Sequence, residues 1–458
     1  MKKIHLIPVI AVAAIFMFQS CAVKKCIEPQ LDIPETIIPG TYADSLCLAD
    51  LKWTEVLQDT ILQGLINKAL EHNRDMLSAV ARVKELERLH RVVRADQFPS
   101  VGAKAYANRK TYDYSTAKEV IDPEIGLKAS LSWEVDFFGR LRWANRSAMA
   151  EYMASVEAQR AMQMTIISNV ARAYFELIAL DNELEIVLRT LETRKENTRQ
   201  AKLRFDGGLT TEIPYQQSQV ELATTASMVP DLRKEIEIKQ NEISLLTGEF
   251  PGEVKRSLFD SQSRVSGLTQ VGIPSELMQR RPDLRASEQS LKAAMAKVGV
   301  SWADRFPRFV ISLQGGLENN TFSNFFTTPF TYFAGELTAP IFAFGKKKAQ
   351  YEASIQAYEQ ARYRYEQKVM EVFKEVNDAV TTLTSTREKV ELMKNLKEAS
   401  RKYVDLALFR YQNGYVNYID VLDAQRSYFN AEIDLTNAVR DEFLAMVNLY
   451  KALGGGWE

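Results

Sequence analysis

Past about residue 48 the chain is written twice. Asn73-Arg74-Asp75 returns as Arg281-Pro282-Asp283, and Ala95-Asp96-Gln97-Phe98-Pro99 as Ala303-Asp304-Arg305-Phe306-Pro307, each 208 positions later. Phe138-Gly139-Arg140 returns as Phe344-Gly345-Lys346, and Arg204-Phe205-Asp206-Gly207-Gly208 as Arg410-Tyr411-Gln412-Asn413-Gly414, each 206 positions later. Matches kept in order over most of both halves predict a duplicated unit with pseudo-symmetry, and the period is too long for a solenoid repeat. Each half has the same internal order: a helix ending at Phe-Pro, two strand-like stretches, a very long helix, a glycine break and another helix.

The long helix follows from the absence of breakers. No glycine or proline interrupts the 67 residues from Arg140 to Asp206, which at the rise of an α-helix makes a helix of about 100 Å. Val170, Tyr174, Leu177, Leu180, Leu184, Val187 and Leu191 recur at spacings of three and four, as do Val369, Val372, Phe373, Val376, Val380 and Leu383, so each half has one core-facing stripe. A solvated coiled-coil rod satisfies this pattern as well.

The strand-like stretches have a different period. Leu127, Ala129, Leu131, Trp133 and Val135 alternate with Lys128, Ser130, Ser132, Glu134 and Asp136. In the second half Phe309, Ile311, Leu313, Gly315 and Leu317 alternate with Val310, Ser312, Gln314, Gly316 and Glu318, and Phe333, Gly335, Leu337, Ala339 and Ile341 hold one face. About ten residues per strand, apolar on one side and polar on the other, suits a transmembrane β-barrel, although a soluble sandwich gives the same alternation. Four strands cannot close a barrel, and an open edge in lipid leaves backbone groups unsatisfied at several kcal/mol each, so a membrane reading requires oligomerisation.

Composition excludes several classes. With 46% apolar and 26% charged residues the chain is neither disordered nor collagen-like. Its 58 Lys and Arg against 59 Asp and Glu give no electrostatic case for nucleic acid. All three cysteines, Cys21, Cys26 and Cys47, precede the repeats, which excludes a Cys/His zinc site or thiol catalysis in the main body. Lys2-Lys3, an apolar stretch from Ile4 to Phe18 and then Gln19-Ser20-Cys21 read as an export signal, too short to be a membrane span. A cysteine after a small residue at that point resembles a bacterial lipobox, with Cys21 acylated as the first mature residue. The other reading is a plain cleaved signal with Cys21 free or bridged to Cys26 or Cys47.

Trp133-Glu134-Val135-Asp136-Phe137-Phe138-Gly139-Arg140, Ile273-Pro274-Ser275-Glu276-Leu277 running into Arg280-Arg281-Pro282-Asp283-Leu284-Arg285-Ala286, Pro340-Ile341-Phe342 with Gly345, and the ending Leu449-Tyr450-Lys451-Ala452-Leu453-Gly454-Gly455-Gly456-Trp457 together resemble the outer-membrane factors of Gram-negative tripartite efflux and type I secretion systems. Within these TolC-like proteins the chain is similar to the NodT-type efflux lipoproteins of RND-type pumps, over nearly its whole mature length. The resemblance implies a mixed α+β membrane protein: a homotrimer whose twelve strands form one transmembrane β-barrel, continued by a long α-helical coiled-coil tunnel across the periplasm. The corresponding layout is a signal at 1–20, a lipid-anchored segment at 21–55, a first repeat at 56–265 with a hairpin near 99–136, and a second repeat at 266–458 with a hairpin near 307–343. Equatorial segments would lie near 249–275 and 450–458. The expected partners are outer-membrane lipid, a periplasmic adaptor (membrane fusion) protein and an inner-membrane RND or other transporter. The expected location is the outer membrane, lipid-anchored and extending into the periplasm.

Gly208 and Gly414 break the long helices as C-caps, with Thr211 and Asn417 as N-caps of the helices that follow. The resemblance implies that these turns, with Arg204, Gly207 and Arg410, form the periplasmic tip on which the adaptor docks; the alternative is an αα-hairpin turn with no partner. Asp420 and Asp423 share a helix face, and Ile419, Asp423 and Arg426 are stacked in steps of three and four. The resemblance implies a periplasmic gate of Asp420, Asp423, Ile419, Arg426 and Tyr411, supplied by the second repeat alone because Pro214 stands where Asp420 would fall. The plainer reading is that both aspartates favour a helix N-terminus, worth at most about 1 kcal/mol. No cofactor, metal site or enzyme activity is expected: there is no G-x-x-x-x-G-K-[ST] loop, and His5, His72 and His90 form no H-E-x-x-H motif. The function implied is a passive exit duct for small molecules such as drugs or metal ions, opened by the adaptor. The alternatives are a type I protein-secretion duct and a coiled-coil structural lipoprotein that makes no pore.

Overall fold

Helices and strands alternate as short, extended and very long pieces, set by where caps and glycines fall. The structure, a computed structural model, describes residues 29, 48, 51–112, 120–259, 274–339 and 342–457. The export signal, Cys21, Cys26, Cys47, the middle of the expected equatorial segment at 260–273 and the pair Pro340-Ile341 lie outside these described residues. The first repeat contains α1 (Trp53–Val56), α2 (Thr60–His72), α3 (Arg74–Ala95), β1 (Ser100–Tyr112), β2 (Val120–Val135), α4 (Arg140–Asp206) and α5 (Ile213–Leu246). The second contains α6 (Pro274–Arg280), α7 (Pro282–Ala303), β3 (Arg308–Asn319), β4 (Pro329–Thr338), α8 (Lys346–Gln412) and α9 (Tyr418–Ala452), with a 3-10 turn at Phe322–Thr327 between its strands. Both α4 and α8 run unbroken for 67 residues, the spans that no glycine or proline interrupts.

The chain folds into two compact units that each draw on both repeats. One takes Arg82–Val156 and Ala286–Gln367; the other takes Glu157–Arg285, Lys368–Glu458 and the segment ending at Ala81. In the first, four antiparallel strands form one sheet in the order β1-β2-β3-β4, and the central β2–β3 pairing joins the two repeats. Register places Val101, Leu131, Leu313 and Phe333 in one row across the sheet, and Gly102, Ser130, Gln314 and Tyr332 in the next. Because side chains alternate with period two, every row repeats this division into an apolar and a polar face. On the polar face Tyr106 donates to Glu318 at 2.7 Å, with the ammonium groups of Lys104 and Lys128 over its ring. The apolar face is uncovered: Leu127 is 47% exposed, Phe333 72% and Leu337 68%. In the same unit, Leu291, Val298, Trp302, Tyr351 and Tyr358 of α7 and α8 make a small core.

In the second unit the stripes do the packing. Val170, Tyr174, Leu177 and Val187 of α4 and Val369, Val372, Val376 and Leu383 of α8 are buried, with Leu62 and Ile66 of α2 and Phe443 and Leu449 of α9. Phe175 stacks on Phe443 with ring centroids 4.7 Å apart. Fully burying each such side chain contributes roughly 1.5–3 kcal/mol. Tyr174 donates to Asp59 at 2.6 Å, and burial with that carboxylate pushes its hydroxyl up to about 12. The same Asp59 caps α2 by accepting from Ile61 N at 2.8 Å and Leu62 N at 3.3 Å. Among the described residues no helix is long and apolar enough to cross a membrane.

Candidate functional site

The two helix breaks are built alike. Gly208 N–H donates to Phe205 O and Leu209 N–H to Arg204 O, both at 2.9 Å; Gly414 N–H donates to Tyr411 O at 3.0 Å and Tyr415 N–H to Arg410 O at 2.9 Å. This pair of bonds is the Schellman closure, which needs a left-handed residue, and Gly208 and Gly414 supply φ of 69° and 76°. Each break exposes apolar side chains at matching positions: Leu209 and Tyr415, then Ile213 and Ile419. Gly207 and Arg410 are exposed beside them.

The helices that follow start differently. Asn417 begins α9, and Asp420 Oδ2 accepts from Asn417 N at 3.0 Å. In the first repeat the expectation of Thr211 as N-cap is corrected: the cap position is Glu212, with no side-chain capping bond. The proline near the first helical position explains this, because Pro214 already sets the helical φ and removes one amide that would need an acceptor.

The five residues expected to act together at the second break are only partly joined. Ile419, Asp423 and Arg426 lie exposed along one side of α9. The Arg426 guanidinium is 4.0 Å from Asp423 and 2.9 Å from Glu221 of α5. Tyr411 packs its ring 5.4 Å from Tyr418 and accepts from Arg204, whose guanidinium also lies over the Tyr411 ring. Tyr418 in turn hydroxyl-bonds to Ser218 at 3.3 Å. An acid of the first repeat, Glu221, thus reaches the arginine of this cluster.

Glu221 is the residue that sequence reasoning missed. Its other carboxylate oxygen is 2.9 Å from Arg194, which also donates to the Glu221 carbonyl at 2.7 Å and lies over Phe429. Burial pulls Arg194 down from its ordinary value, with Glu221 opposing. A signal was present: Arg194 continues the Val187–Leu191 stripe three residues on, and an arginine on a core-facing stripe requires an acid across the interface.

Away from the breaks, the two most specific sequence motifs meet. Arg281 donates to both carboxylate oxygens of Asp283, at 2.9 and 2.6 Å, and to Ala452 O at 3.1 Å, with Glu375 at 2.6 Å. Lys368 lies 2.9 Å from Asp283. Burial alone would push Asp283 up, but the bonds and charge of Arg281 and Lys368 outweigh it and hold the carboxyl well below the usual range. Trp457 donates to Arg280 O at 3.0 Å, with the guanidinium groups of Arg160 and Arg285 at its ring.

A sequence model described as outer membrane efflux protein matches residues 65–249 and 273–455. The chain is 30% identical over 419 residues to the solvent efflux pump outer membrane protein SrpC of Pseudomonas putida, covering 90% of this chain and 89% of that one. It is 29% identical over 413 residues to the cation efflux system protein CusC of Escherichia coli, covering 89% and 88%. It superposes on the open state of the Neisseria gonorrhoeae MtrE outer membrane channel with a TM-score of 0.87 at 27% identity, covering 95% of this chain and 98% of that one. With that sequence-model match over most of both repeats, the chain belongs to the outer membrane efflux protein family.

Proposed function

We propose that three copies of this chain close one twelve-stranded barrel in the outer membrane and form the exit duct of a tripartite efflux pump. The observation that carries this is the sheet itself: four strands with a bare apolar face, whose outer strands β1 and β4 have no further partner among the described residues. Lipid satisfies an apolar face but not a row of peptide groups, so edges must be paired by further copies. The polar face, with Lys104, Lys128, Gln314 and Glu318, then lines water. Acylated Cys21 would anchor each copy beside the barrel.

The periplasmic end is the regulated one. The matched exposed pairs Leu209 and Tyr415, and Ile213 and Ile419, offer an adaptor protein two equivalent apolar tips per copy. With Asp420 and Asp423 in three copies, six carboxylates ring the tunnel, which favours cations at a constriction. Asp420 is engaged in capping α9, whereas Asp423 is exposed on the side of α9, so Asp423 is the freer of the two to meet a passing cation. Docking of an adaptor opens the tip by binding the open arrangement better. Relatives named for a solvent and for a cation have nearly equal identity to this chain, which supports a duct whose cargo is chosen by another component of the pump. Single-channel conductance of the full-length protein in a planar bilayer tests the reading. A small cation-preferring current that grows in the Asp420→Ala, Asp423→Ala double variant is expected, and no current from folded trimers of either form would refute the duct.

A further inference from the structure

At the end of the sheet where β2 runs into α4, an open cleft of about 570 Å³ is walled by Phe137, Trp143, Trp302, Phe309 and Leu337, with Arg142 and Arg146 at its rim. The volume falls within the range of small-molecule sites. Phe309 and Leu337 belong to the apolar face of the sheet, so the cleft is continuous with that face. Its back is a fitted surface. Trp143 lies so close over Gly299 of α7 that a Cβ there would come within 2.4 Å of the ring, and Arg146 covers Trp143 with its guanidinium 4.7 Å from the ring.

The surroundings have one chemical character. Both repeats end their strands in exposed aromatics, Phe137 in the first and Phe342 and Phe344 in the second. Both then place cations just beyond, Arg140, Arg142 and Arg146 in the first and Lys346, Lys347 and Lys348 in the second. Aromatic rings followed by Lys and Arg are what a chain presents where hydrocarbon gives way to anionic headgroups. Of the first set, Arg140 is held by both oxygens of Glu134, and the Arg142 guanidinium donates to the Asp136 carboxylate at 3.3 Å and to the Asp136 carbonyl at 3.1 Å, while the same carboxylate accepts from the Leu141 and Arg142 amides at the start of α4. Arg142 and Arg146 are both exposed and face the cleft.

We propose that this cleft holds one acyl chain of an anionic phospholipid of the outer membrane, with the lipid phosphate on Arg142 and Arg146. The assignment rests on the lipid-facing reading of the sheet. It goes beyond that reading in making the protein selective for headgroup charge at one built site per copy. The aromatic walls exclude water from the chain, and two planar guanidinium groups at the rim match a phosphate better than they match a zwitterionic headgroup.

The test is quenching of tryptophan fluorescence by brominated lipid in vesicles of phosphatidylcholine holding the full-length protein. Dibromo-phosphatidylglycerol should quench at a mole fraction roughly five-fold lower than dibromo-phosphatidylcholine, the discrimination expected of one basic residue near a lipid surface, because the charge of Arg142 is already offset by Asp136. Arg142→Gln with Arg146→Gln should remove the preference and leave quenching by the brominated phosphatidylcholine intact. Trp143→Phe should reduce the preferential component, and Trp143→Phe with Trp302→Phe should remove it, because both rings wall the cleft. Equal quenching by the two lipids in the wild type, or a preference that survives the arginine substitutions, overturns the site while leaving the lipid-facing sheet. A preference abolished by inorganic phosphate makes it a phosphate site rather than a lipid site. A preference unchanged in the Trp143→Phe, Trp302→Phe double variant is read outside the cleft and overturns the site, and no quenching by either lipid refutes the lipid-facing sheet itself.

Discussion

Replacing Arg281 with Met should destabilise the protein more than removing its partner as well. Arg281 is only 5% exposed, and its bonds to Asp283, Glu375 and the Ala452 carbonyl tie the start of α7 to α8 and the end of α9. Truncation leaves Asp283 in the same place with Lys368 alone. Breaking a buried ion pair from one side costs about 3–5 kcal/mol; the remaining lysine and the partial exposure of Asp283 keep this case at the low end, about 3 kcal/mol or roughly 150-fold. Assemblies of this kind unfold irreversibly, so the quantity to measure is the unfolding rate in urea near neutral pH, by far-ultraviolet circular dichroism and Trp457 fluorescence. Adding Asp283→Asn to Arg281→Met should recover about half of the loss, because no unpaired charge then remains buried. The pH dependence has a definite sign. Asp283 is held below its ordinary value, so its stabilisation is complete above an unfolded carboxylate value of about 3.9 and is lost as pH falls toward the depressed one. Arg281→Met should flatten that acid limb. If the double variant unfolds as the simple product of two independent losses, the cluster is not coupled and the reasoning fails.

Three further outcomes follow from particular contacts. Asp423→Ala should raise bilayer conductance more than Asp420→Ala, whereas Asp420→Ala should cost about 1 kcal/mol of stability through the lost bond to Asn417 N; equal effects of the two on current would contradict this division. Glu221→Gln leaves Arg194 buried without its counter-charge and frees Arg426, so it should both destabilise by about 3 kcal/mol and increase conductance, and an unchanged current would separate Glu221 from the gate. Gly64→Ala, on the exposed side of α2 with open space around it, should stabilise by about 0.5–1 kcal/mol, while Gly299→Ala should destabilise by forcing Trp143 aside; thermal midpoints of the two variants, compared in one detergent, decide both.

What the sequence determined by itself is local and periodic. The span of α4 follows from the absence of glycine and proline between Arg140 and Asp206, and the helix ends from Gly208 and Gly414, whose φ only a residue without a Cβ adopts freely. The division of the sheet into two faces follows from alternation alone, and the duplication was visible at fixed offsets. These features depend on bonds between residues three to five apart or on the period of a strand, so neighbours specify them. The start of α5 shows the limit of such rules: Thr211 is an acceptable cap by type, yet the proline that follows shifted the start to Ile213.

What only the tertiary structure decided is which distant groups meet. Arg426 lies 4.0 Å from Asp423 three residues away but also reaches Glu221, 205 positions earlier; Trp457 finds the Arg280 carbonyl 177 positions earlier; and β2 pairs with β3 across the repeat boundary. No period encodes these partnerships. A buried guanidinium or an open strand edge states that a partner is required, because leaving it unpaired is costly, but any acid or any strand of suitable register meets the requirement. The choice among them is made when the long helices and the sheet pack, and the cleft beside Trp143 exists for the same reason: its walls come from α4, α7, β3 and β4, which are neighbours only in the folded chain.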